Sequence, residues 1–118
     1  MSGISYTVRG HLADGKGAEF TALSAELSAM VDADEPGTLA YVWYLNDAGD
    51  EYLLYERYTD SDAFLRHVEH VAPLMDRFQA LGPIDSISVF GDPTPEASAV
   101  LEEWKAVSYT QTAGFMRH

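Results

Sequence analysis

The sequence predicts an α+β domain in the order β-α-β-β-α-β, followed by a short helix and tail. Three observations carry this. Three short runs alternate in the two-residue period of strands, and a fourth is continuously apolar. Two longer runs place apolar residues at helical spacing, and Gly- and Pro-containing breaks separate the segments. The 118 residues suit one compact domain, and 47% of them are apolar, enough for a core.

In residues 4–12, Tyr6, Val8 and Leu12 share one parity and Ser5, Thr7, Arg9 and His11 the other. Ala13-Asp14-Gly15-Lys16-Gly17 ends this strand as a turn. Residues 18–31 read as an amphipathic helix, with Phe20, Leu23, Leu27, Met30 and Val31 on one stripe. Asp32 to Gly37 ends it, because Pro36 cannot continue a helix. Residues 38–45 form a strand without alternation, which predicts cover on both faces. Asn46 to Asp50 is a Gly-containing hairpin loop, and residues 51–58 return antiparallel. There Leu53, Tyr55 and Arg57 point one way, and Tyr52, Leu54, Glu56 and Tyr58 the other.

Thr59-Asp60-Ser61-Asp62 supplies capping groups for a second helix. Its stripe holds Phe64, Val68, Val71 and Met75, with His67 on the border and His70 nearer solvent. Pro73 should interrupt it, leaving a second piece at residues 74–81. Residues 84–90 alternate as a fourth strand. Ala97, Val100, Leu101 and Trp104 mark a short amphipathic helix, and residues 108–115 read as a last extended segment. The order matches the ferredoxin-like arrangement, a four-stranded antiparallel sheet with helices on one face. Apolar central strands with helices on only one side leave a sticky face. The expected cover is a second copy, packed sheet to sheet in a homodimer.

With 19 acidic and 7 basic residues the net charge is −12, which argues against nucleic acid and anionic membrane surfaces as partners. It favours a neutral or cationic small ligand. The absence of cysteine excludes disulfides, thiolate catalysis and Cys-based zinc sites. No signal-like start and no membrane-length apolar run is present, so the expected location is cytoplasmic. Asp14-Gly15-Lys16-Gly17 is too short for a phosphate loop, and there is no Ser-centred nucleophile elbow.

His67 suits proton transfer near neutral pH, or it closes the helix–sheet contact through Glu56 or backbone. Glu56 sits on an apolar strand and must be paired or protonated if buried. It could orient His67, or pair with Arg9, a neighbour's Arg57 or a helix N-terminus. Tyr41, Trp43, Tyr44, Tyr52, Tyr55 and Tyr58 form an aromatic field in which parity sends about half away from any pocket. The H-x-x-H spacing of His67 and His70 lacks obvious further ligands beyond His11 and nearby acids, so no metal is expected. His70 alone reads as a solvated border residue, His11 as a strand residue at a dimer face or loop edge, and His118 as terminal.

The chain resembles the antibiotic biosynthesis monooxygenase (ABM) family of dimeric α+β barrel proteins. The resemblance rests on Glu35-Pro36-Gly37-Thr38-Leu39 with Tyr41, Tyr55-Glu56-Arg57-Tyr58, and Asp60, Ala63 and His67. Gly15-Lys16 and Glu19-Phe20 also fit. It covers roughly residues 4–91, which sets an ABM-like domain at 1–92 and an extension of that domain at 93–118. Gly114-Phe115-Met116-Arg117 is similar to tails of some relatives.

The resemblance implies two sheets closed into a barrel and a pocket between sheet and helices. Some members oxidise phenols or quinols with O2 without metal or flavin; others degrade haem, and many have no known activity. It therefore implies a cofactor-independent monooxygenase of secondary metabolism acting on a small aromatic molecule. The expected catalytic residues are His67 and Glu56; Tyr41, Trp43, Tyr58, Phe64 and His70 are the expected substrate contacts. A non-catalytic binding protein is the alternative, ahead of a polyketide isomerase or cyclase and a haem protein. Haem-degrading relatives carry Asn where this chain has Val8, Trp where it has His67, and their haem-ligating His near Arg77. Those departures argue against haem.

Overall fold

The computed structural model describes residues 3–117. The chain runs β1 (Ile4–His11), α1 (Gly17–Asp34), β2 (Thr38–Leu45), β3 (Glu51–Tyr58), α2 (Ser61–Val71), α3 (Met75–Leu81), β4 (Ile84–Gly91), α4 (Pro95–Glu103) and β5 (Val107–Tyr109). A 3-10 turn, Ala72–Leu74, joins α2 to α3 where Pro73 removes a helical hydrogen bond. Asp60 caps α2 by accepting from the Ala63 amide at 2.8 Å.

The sheet differs from the four-stranded antiparallel expectation. It has five strands in the order β2-β3-β1-β4-β5, and β5 runs parallel to β4. The reason is geometric. β4 would otherwise present an unpaired edge, and α4 supplies the crossover that parallel pairing requires. Val107 and Tyr109 pair with Ser88 and Phe90, so β5 takes in only the first two residues of the expected extended segment, Ser108 and Tyr109.

Alternation sorts the aromatic field. Ile4, Tyr6, Val8, Tyr52, Leu54, Glu56, Tyr58, Ile87 and Val89 are buried on one face. They pack with Phe20, Leu23, Leu27 and Val31 of α1, Phe64 and Val71 of α2, and Phe78 and Leu81 of α3. Val42, Tyr44, Leu53, Phe90 and Tyr109 remain exposed, and strand parity puts them on the opposite face. In β2 the pattern is half-buried against exposed, so the apolar run that suggested cover on both faces is open on one side of this chain.

One close approach positions the site. A Cβ on Gly37 would lie 2.6 Å from the Ala63 Cβ and 3.3 Å from Thr59 Oγ1. Glycine thus lets the entry to β2 lie directly on the first turn of α2, and the Thr59 amide donates to the Gly37 carbonyl at 3.0 Å. Gly37→Ala should separate these elements and destabilise the fold by about 1–3 kcal/mol, measurable as a lower urea midpoint at unchanged slope.

Candidate functional site

A cavity of about 450 Å³ lies between the sheet and the helices. Most of its wall is apolar, drawn from residues such as Val8, Leu27, Leu54, Val71, Met75 and Ile87. The polar part comprises Tyr6, Tyr41, Glu56 and His67, with Trp43 and Gln79 elsewhere in the wall. Among the described residues no Lys or Arg lines it. Tyr41 and Glu56 are cross-strand partners, which sets their side chains beside each other on the helix-facing surface.

Burial forces Glu56, 3% exposed, to find partners. Its Oε1 accepts from the Tyr6 hydroxyl at 2.8 Å and from the Tyr58 hydroxyl. His67 Nε2 lies 3.2 Å from the same oxygen. Among the described residues neither Arg9 nor a helix terminus is its partner. Oε2 has no hydrogen bond among the described residues. Trp43 Nε1 is the one fully enclosed side-chain polar atom without a partner among them, so Oε2 is open to the cavity that Glu56 lines. The Tyr41 hydroxyl is free by the same reasoning.

His67 is gripped at both nitrogens. Its Nδ1 lies 2.8 Å from Glu35 Oε1, opposite the Glu56 contact. Burial alone would lower its pKa, but the contacts with Glu35 and Glu56 outweigh burial and raise it to about 9. At neutral pH it is an imidazolium, lying between the rings of Tyr41 and Tyr58 with centroids 5.4 Å from each. Burial pushes Glu35 up, yet hydrogen bonds from His67, His70 and Thr38 leave it below the usual carboxylate value. Desolvation and then the Glu56 charge raise Tyr6, Tyr41 and Tyr58, which therefore stay protonated as donors.

Of the residues expected from the sequence, Glu56, His67, Tyr41 and Trp43 meet at the cavity. Tyr58 and Phe64 are fully buried behind it, Tyr58 bonded to Glu56 and Phe64 packed edge-on against Tyr6. His70 is outside the wall, with Nδ1 2.5 Å from Glu35 Oε2. The H-x-x-H pair converges on the Glu35 carboxylate. His11 pairs with Asp85 at 3.1 Å in solvent, and His118 lies outside the described residues. Tyr6 and Glu35 were missed as site residues; Glu35 read as a helix terminator beside Pro36, although the Glu35-Pro36-Gly37 motif was visible.

An apolar cavity with a few convergent polar groups has the general form of a small-molecule site. The chain belongs to the antibiotic biosynthesis monooxygenase family, whose model matches residues 7–81. No curated protein matches it significantly. It is similar in structure to MupZ from Pseudomonas fluorescens, with 21% identity, a TM-score of 0.85, and coverage of 99% of this chain and 96% of that one. It is also similar to SnoaB, a cofactor-independent oxygenase from Streptomyces nogalater, with 23% identity, a TM-score of 0.67, and coverage of 80% and 96%. A conserved protein from Methanosarcina mazei Go1 matches at 17% identity, a TM-score of 0.66, and coverage of 80% and 95%. At these identities the likenesses show the fold.

The ion pair makes stability depend on pH. Because the folded pKa of His67, about 9, exceeds its unfolded value, its contribution is complete below about pH 6.5 and is lost as pH rises to about 9. Glu35 is shifted the other way: its contribution is present above its unfolded value and disappears as pH falls through the lowered folded one. Both describe the same pair, so they do not add. Urea unfolding at pH 6.5 and pH 9 should show wild type losing roughly 3 kcal/mol more than His67→Gln. Equal losses in the two proteins would remove His67 as the titrating group.

Proposed function

We propose that this protein is a cofactor-independent monooxygenase for a neutral phenol or quinol. The observation that carries the reading is the free Glu56 Oε2 facing an apolar cavity beside the free Tyr41 hydroxyl. His67 already holds its proton, so its role is to position and charge-balance Glu56, and Glu56 is the base. The substrate hydroxyl gives its proton to Oε2, and Tyr41 donates to a neighbouring substrate oxygen. The resulting phenolate is electron-rich enough to reduce O2. One oxygen atom enters the ring carbon and the other leaves as water, so a phenolic CH2 or CH becomes a carbonyl. Membership of the family and the likeness to SnoaB support this class of reaction.

The cavity's lack of Lys and Arg supports a neutral substrate over a carboxylate or phosphate. The exposed apolar side chains Val42, Tyr44, Leu53 and Phe90 on one face support a homodimer packed through the open sheet face. One observation favours the second reading, a binding protein without turnover: Glu35 and Glu56 hold His67 in the manner of a structural ion pair.

The test is oxygen uptake with a panel of hydroxylated polycyclic phenols and quinols. Wild type should consume O2 above the no-protein rate, and folded Glu56→Gln should lose about 10²–10⁴-fold in kcat. Tight binding by wild type with no uptake selects the binding protein. Separately, Leu53→Lys should convert a dimer to monomer in sedimentation; a sedimentation coefficient matching wild type would remove the open face as the interface.

A further inference from the structure

The family-matched segment ends at residue 81, yet the cavity wall does not. Trp104, at the end of α4, is part of it. We infer that Trp104 is the residue that closes the cavity mouth and sets the largest ligand the site admits. Its ring contacts Tyr6 at 6.4 Å and Phe64 at 5.7 Å between centroids, both edge-on, while the residue remains 39% exposed. Among the lining residues only Ala72, Gln79 and Trp104 are exposed, so these three make the rim. Trp104 has by far the largest side chain of the three.

The indole is held in place from both directions along the chain. Upstream, Ala97 and Leu101 are buried in the core, and the Thr94 amide donates to Ser61 Oγ at 2.9 Å, tying the start of α4 to α2. Downstream, Lys105 adopts a left-handed φ of 58°, the only such non-glycine residue among those described. That conformation reverses the chain into β5, and the Lys105 and Ala106 amides bond back to Glu102 and Leu101. A non-glycine residue in this region persists only when its surroundings enforce it. Here the parallel pairing of β5 with β4 does so. β5 thereby acts on the site without touching it: it fixes the turn that aims Trp104. The same Tyr6 that donates to Glu56 is the ring Trp104 leans on, so the mouth and the reacting corner share one wall residue.

The test uses two neutral probes of different size on wild type, Trp104→Ala and Trp104→Phe, each checked for folding by circular dichroism and thermal melting. Nile red has no hydroxyl and is larger than a bicyclic phenol; 1-naphthol is the small phenolic probe. Trp104→Ala should bind Nile red at least tenfold more tightly than wild type, with Trp104→Phe between them. Filling the cavity with Val68→Trp in the Trp104→Ala background should abolish the gain, which places the dye inside. Nile red affinity within twofold of wild type in both variants, or a gain that survives Val68→Trp, overturns the inference. The phenol reading stands or falls apart from this, on whether 1-naphthol binds wild type and weakens in Glu56→Gln.

Discussion

One buried cation between two buried carboxylates holds this architecture together. Glu35 comes from the α1–β2 junction, Glu56 from β3 and His67 from α2, so three separate parts of the fold meet at a single imidazolium. Each of the three is less than a tenth exposed. A buried carboxylate alone would be costly, and two together would repel. His67 resolves both problems because its two N–H groups lie on opposite sides of one ring, a geometry that neither Lys nor Arg provides. Removing one member leaves uncompensated charge inside the protein, so the arrangement behaves as a unit. The glycine at position 37 belongs to the same design, since without the close approach to Ala63 Glu35 would not reach α2.

How much of this could be read from residues follows from what pattern conveys. Period-two alternation in β3 groups Glu56 with Tyr52, Leu54 and Tyr58, so its burial is legible in the sequence. The helical stripe put His67 beside the core for the same reason. Glu35 was not legible as a partner, because its neighbours Asp32, Asp34 and Pro36 are those of a solvated helix end, and its burial arises from a tertiary contact across 32 residues. Tyr6 alternates as an ordinary core residue, and only the register opposite Glu56 gives it a carboxylate to bond. The parallel β5 was hidden for a different reason: three residues are too few for periodicity, and the decision lies with the exposed edge of β4 and the crossover that α4 provides.

The two faces of the sheet divide the aromatic residues by task. Tyr41, Trp43, Tyr52 and Tyr58 lie under the helices, where their rings pack and their polar tips find, or lack, partners. Tyr44 and Tyr55 lie on the other face by parity. Parity in the sequence divides the aromatic field in two; register and helix packing decide which half is cavity wall and which is open surface. Trp43 Nε1 marks where that division is incomplete, since an enclosed indole N–H without an acceptor is a cost the fold carries among the described residues.

The asymmetry of Glu56 connects stability to chemistry. Had its partners been shared between both oxygens, the carboxylate would be a sealed structural group. All of them fall on Oε1 instead. The protein therefore meets the cost of burying the charge on one side and leaves the other oxygen facing the cavity. That is an arrangement suited to a base: held in one orientation, balanced by a neighbouring His67 whose pKa is raised, and supplied with one open acceptor. The same grip favours the imidazolium form of His67, in which it has no lone pair to accept a proton. If protons are taken from a ligand in this cavity, the geometry leaves Glu56 to take them and gives His67 the task of keeping it in place.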